Sequence, residues 1–168
     1  MKRNILQVPD SERVARLLSK GWICDGSILH IAFTLREEET YISVNRPAVS
    51  SYDLDVSSFV SNHPDFYANE DKSMYIRAIL NVGDVRNSKI YVDNVELGID
   101  VEVEPRDTFI KSHAGIFTRH EGVNVKKGDS IFVKAVGKEI SSDQVLLKVR
   151  SRLLDISKIE YCPIEPND

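Results

Sequence analysis

From position 95 to 104 an apolar side chain falls at every second residue: Val95, Leu97, Ile99, Val101 and Val103. Glu96, Asp100, Glu102 and Glu104 take the other parity. Successive strand residues point to opposite faces, so this tract predicts a strand with one buried face and one acidic face. A second tract, 145–154, spaces Lys148, Arg150 and Arg152 by two and predicts a basic-faced strand. The acidic ladder then has two readings. It is a solvated edge strand whose charge discourages sheet-to-sheet pairing, or it pairs across strands with the basic ladder. Opposite-charge pairs contribute roughly 0.2–1 kcal/mol each, and a slip by one residue would exchange the charged and apolar faces.

The remaining pattern supplies further elements. Asp10 or Ser11 caps a short helix carrying Val14, Leu17 and Leu18, ended by Gly21 with Trp22 folding back. Asp25-Gly26 marks a turn. Residues 28–35 alternate as a strand, with Leu29, Ile31, Phe33 and Leu35 on one face. Residues 40–45 form its hairpin partner, with Ile42 and Val44 inside. A second helix covers 52–61, with Val56, Phe59 and Val60 in its buried stripe, and His63-Pro64 closes it. Residues 74–82 are apolar on both parities and predict a central strand. Residues 89–92 and the tract from Val95 form a hairpin through Asp93-Asn94. A strand over 130–136, a loop over 137–143 and a frayed tail over 162–168 complete the chain. Strands follow one another in the second half without intervening helices. The expectation is a single α+β domain over 1–168, with a mainly antiparallel, bent or barrel-like sheet and two short helices in the first third.

Composition adds bounds. With 168 residues, 42% hydrophobic and 29% charged, the chain suits one core. No apolar run reaches the roughly 20 residues that cross a bilayer, and no secretory leader opens the chain. A cytoplasmic location with no membrane association is the expectation. Cys24 and Cys162 have neither disulfide-framework nor zinc spacing and read as buried free thiols. Residues 106–158 carry eleven lysines and arginines against six acidic residues, whereas 1–105 carry eleven against seventeen. Two halves that neutralise each other account for this, and nucleic-acid binders are more basic.

Candidate chemistry is sparse. His113, between small residues and near Gly115, is the candidate general acid or base, with no partner at a diagnostic spacing. His113 and His120 fall on opposite faces of any continuous strand, Asp100, Glu102 and Glu104 do not converge, and no metal or cofactor is implied. Asp53 and Asp55 suit the first turn of the second helix. Arg36, Ser43, Asn45 and Arg46 are close in sequence and, with His30 and His113, would form an anion-binding polar pocket. Lys148, Arg150 and Arg152, extended by Lys126, Lys127, Lys134 and Phe132, would instead form a phosphate-tracking surface. The stretch 25–46 resembles segments of short bacterial proteins, a resemblance that implies no activity.

The function expected from these residues is a non-enzymatic binding or interaction module for a protein partner or a small anionic ligand. Its anion-binding candidates are Arg36, Asn45, Arg46, His113, Lys148, Arg150 and Arg152. The alternatives are a small enzyme using a polar pocket around His113 and Arg36, and a barrel-type nucleic-acid module.

Overall fold

The two strands covered by apolar side chains on both faces lie side by side within the sheet, nearer one edge than the middle. A computed structural model describes residues 7–34, 41–92, 94–103, 111–120, 123–125 and 142–165. Its strands are β1 (Arg13–Leu18), β2 (Ile23–Cys24), β3 (Ser27–Ile28), β4 (Ile42–Asn45), β5 (Met74–Asn81), β6 (Lys89–Val92), β7 (Val95–Val103), β8 (His113–His120), β9 (Val123–Val125) and β10 (Lys158–Pro163). Three α-helices are described: α1 (Tyr52–Asn62), α2 (Val82–Asn87) and α3 (Ser142–Ile156). The main sheet is antiparallel and curled, in the order β10-β5-β1-β4-β8-β7-β6, with β9 beside β8. The β2–β3 pair is separate. None of the described helices is long and apolar enough to cross a membrane.

One face of the sheet, carrying Val14, Leu18, Val44, Leu80, Leu97 and Val101, packs against α3 through Val145, Val149 and Leu153 and against α2 through Val82 and Val85. The other face, at β1 and β5, presents Ala15, Leu17, Tyr75 and Ile79 to Tyr52, Val56 and Val60 of α1. The predicted second helix and the central strand β5 are therefore present. So is the β6–β7 hairpin, where Asn94 takes a φ of 67° at the turn.

Expectations for the first 45 residues are corrected. The predicted first helix is β1, which lies between β4 and β5. Both its faces are covered, so Val14, Leu17 and Leu18 reproduce helical spacing without a helix. Two helices were expected in the first third; among the described residues the first α-helix, α1, starts only at Tyr52 and runs beyond that third. The strand over 28–35 is likewise absent. After the two-residue β3 the chain turns into a 3-10 helix over His30–Phe33, which buries Ala32 and Phe33 and leaves Leu29 and Ile31 outside. β4 takes β1 and β8 as partners instead.

The basic tract 145–154 is the helix α3. Its buried residues Val145, Val149 and Leu153 are four apart, which is two strand periods and close to one helical turn. Only the helix also packs Leu154 and Ile156 on the core. The acidic ladder then loses its proposed partners, and β7 is no edge, since it pairs with β6 and β8. Asp100 is 2% exposed. Its Oδ1 accepts from Arg86 Nε at 2.7 Å and from Val101 N at 2.8 Å. Its Oδ2 has no aligned hydrogen-bond donor and faces Arg119 as an ion pair. Arg86 also binds Asp10 at 2.6 Å and Val101 O at 2.9 Å. Burial works against the Arg86 charge, but the bonds to Asp100 and Asp10 outweigh it and hold its pKa above the ordinary value.

Residues 162–164, expected in a frayed tail, are held by the sheet. Cys162 and Pro163 close β10, and Ile164 N donates to Ser73 O at 2.9 Å. Cys24 is exposed and Cys162 half-buried, both as free thiols. The strand expected over 130–136 lies outside the described residues, as do Glu104, Lys126, Lys127, Phe132 and Lys134.

Under α1 the hydroxyls of Tyr52 and Tyr75 bond at 2.9 Å, and Arg77 Nη1 donates to Tyr52 Oη at 3.0 Å. Burial pushes both phenols above their ordinary range. Unfolded tyrosines ionise near pH about 10 while these stay protonated, so above that pH the unfolded chain binds fewer protons and stability falls. Below it their contribution is constant. Denaturant unfolding across alkaline pH should show Tyr75→Phe losing stability less steeply than wild type; equal slopes would contradict this burial effect.

Candidate functional site

Two places gather the chemistry. The first lies on the polar parity of β4 and β8. The register sets Asn45 opposite His113 and Ser43 opposite Gly115. Ser43 Oγ hydrogen-bonds His113 Nε2. Beside them Asn45 Nδ2 donates to Ser112 Oγ at 3.0 Å, and Ser112 Oγ donates to Asp55 Oδ2 at 2.6 Å. Asp55 accepts the Ser112 N–H as well, at 3.1 Å, so a carboxylate in the first turn of α1 anchors the start of β8. Because Gly115 has no side chain, the Tyr41 ring rests on its backbone, between His113 and Phe117. A Cβ at Gly115 would stand 2.7 Å from Tyr41 Cδ2. A serine hydroxyl bonded to an imidazole is the pairing of a nucleophile with a base.

Of the residues expected around the polar pocket, three are brought together. Ser43, Asn45 and His113 come together. Arg46 turns away and forms a two-pronged pair with Glu12 at 2.9 and 2.7 Å. His30 is exposed on its 3-10 helix, and Arg36 lies outside the described residues. His113 and His120 share one continuous strand, which places them on opposite faces. Among the described residues no group of three or more His, Cys, Asp or Glu side chains is arranged to hold a metal.

The second place is a groove of about 410 Å³ between α2, β6 and α3, lined by Asp84, Asn87, Ser88, Lys89, Tyr91, Arg152 and Ile156. Arg152 Nη2 donates to Lys89 O at 3.4 Å. The Lys89 ammonium is 3.0 Å from Glu96, whose hydrogen bond holds the lysine pKa above its ordinary value. Of the predicted basic ladder, only Arg152 reaches this groove. Residues two apart on a helix are turned by roughly 200°, so the three cations cannot act as one row. Lys148 is exposed, and Arg150 bonds Leu146 O and Thr34 Oγ1. Asp84, Asn87, Lys89 and Tyr91 were missed from sequence. The Asp93-Asn94 turn was the available signal, because it fixes the register of β6.

Comparison of the chain with family models, with curated proteins and with solved structures gives no match.

Proposed function

We propose that the chain is an interaction module whose binding surface is the groove between α2, β6 and α3. The observation that supports this is its lining: a guanidinium from Arg152, a carboxylate from Asp84 and an amide from Asn87 around one opening, with Tyr91 and Ile156 as less polar walls. Ligand sites span roughly 300–1,000 Å³, and this groove matches them in volume while its lining side chains are mainly polar, which suits a polar or charged ligand. Arg152 has donors to spare beyond the one shared with Lys89, so it is the group that would meet an incoming carboxylate or phosphate. Asp84 and Asn87 supply acceptors, which favours a ligand with N–H groups as well as negative charge. Inorganic phosphate and citrate serve as first probes, because a ligand at 100 times its Kd stabilises by about 2.7 kcal/mol. Wild type should gain Tm with millimolar probe. Arg152→Ala should keep the unliganded Tm and lose that gain; a gain that persists in Arg152→Ala would contradict the assignment.

A second reading, an enzyme acting through Ser43, is favoured by the hydrogen bond from Ser43 Oγ to His113 Nε2. In it Ser43 Oγ attacks an ester carbonyl and its proton passes to His113. The leaving alkoxide departs with that proton, and water later releases the acyl group from Ser43. With 4-nitrophenyl acetate, mass spectrometry should find one acetyl group on Ser43, absent in Ser43→Ala and slowed in His113→Ala. Acetylation equal in Ser43→Ala would reject this reading.

A further inference from the structure

The hairpin that closes β6 onto β7 also fixes which of its backbone groups are used. A two-residue turn makes Val92 and Val95 a hydrogen-bonded pair, and such pairs alternate along an antiparallel ladder. Ile90 and Leu97 form the next bonded pair. Tyr91 opposite Glu96, and Lys89 opposite Gly98, are the unbonded positions. The N–H and C=O of Lys89 and Tyr91 therefore point away from β7. These are the two β6 residues that line the groove. Arg152 reaching Lys89 O from α3 is direct evidence that this carbonyl faces it. Among the described residues β6 pairs with β7 alone.

We propose that the groove takes an extended acidic segment of a partner protein, added to β6 as a further strand through the backbone of Lys89 and Tyr91. This rests on the groove being the binding surface and names what fills it. In strand addition, main-chain hydrogen bonds give affinity and alternate side chains give selectivity. The groove supplies acceptors and donors together, as a peptide backbone requires. Arg152 beside the edge and Lys89 on it select acidic side chains, although Lys89 is shared with Glu96. A second copy of the chain is a poor occupant, because β6 against β6 would bring the same cations of both copies together. Charge on the edge also turns away flat apolar strands. Tyr91, 58% exposed, offers a ring to an apolar side chain of the incoming strand.

The test is amide hydrogen exchange by NMR, with a blocked peptide of alternating valine and glutamate as the probe. Binding should slow exchange of the Lys89 and Tyr91 amides by about tenfold or more and leave Ile90 and Val92, already bonded to β7, unchanged. N-methylation of alternate peptide amides, or lysine in place of glutamate, should weaken binding by about tenfold. Equal affinity after N-methylation, or binding without protection of Lys89 and Tyr91, would overturn strand addition. If this peptide fails to bind while phosphate or citrate still raises Tm through Arg152, strand addition fails and the groove remains the binding surface. If neither probe responds, both fail.

Discussion

A carboxylate almost out of reach of water persists only when opposite charge is brought to it, and Asp100 is such a group. It sits on β7, and the charges that meet it come from two other elements, Arg86 on α2 and Arg119 on β8. Arg86 continues to Asp10, on the chain just before β1. One buried anion thereby ties a six-residue helix, two strands and the entry to a third. A helix that short has little stability of its own. Its position is set by this clamp and by Val82 and Val85 in the core. Since α2 supplies Asp84 and Asn87 and leads into Ser88 and β6, the groove is shaped by the same clamp.

The sheet divides its two faces by function. Its apolar face is closed by α2, α3 and the 3-10 helix that carries Phe33. Its other face is apolar where α1 covers β1 and β5 and where Tyr41 meets Phe117, and toward β4, β7 and β8 it also holds polar groups in fixed pairs. Glu160 with Arg77, Glu12 with Arg46, and Asp55 with Ser112 are partners within the fold. Those side chains act as fasteners. The groove differs because main-chain groups turned outward by register share it with a guanidinium that, among the described residues, makes one long hydrogen bond.

What the sequence disclosed followed from how many faces each element buries. α1 was legible because proline closes it and one stripe is apolar, and β5 because both its parities are apolar over eight residues. The β6–β7 hairpin was legible from its two-residue turn. β1 was not, because a short strand covered on both sides imitates helical spacing. α3 was not, because Val145, Val149 and Leu153 satisfy both periods and the cations at 148, 150 and 152 favoured the wrong one. At the candidate sites, Ser43 and Asn45 were grouped with Arg36 and Arg46 by sequence proximity, and His113 was added by residue type alone. Their bonding partners are Ser112, the neighbour of His113, and through it Asp55 of α1, a segment that only the fold brings close. The acid at position 100 was read as solvated or as paired with the basic tract, and the arginines that meet it lie 14 and 19 residues away along the chain.

The Asp100 clamp is tested most directly by a double-mutant cycle in denaturant unfolding, comparing Asp100→Ala, Arg86→Ala and the pair. Either single change takes one of two ionic partners from the remaining charge, so each should cost up to about 3–5 kcal/mol. The double mutant should lose less than the sum of the two, with a coupling of roughly 1–3 kcal/mol. Additive losses, or an Asp100→Ala protein as stable as wild type, would show that the clamp does not hold α2 to the sheet.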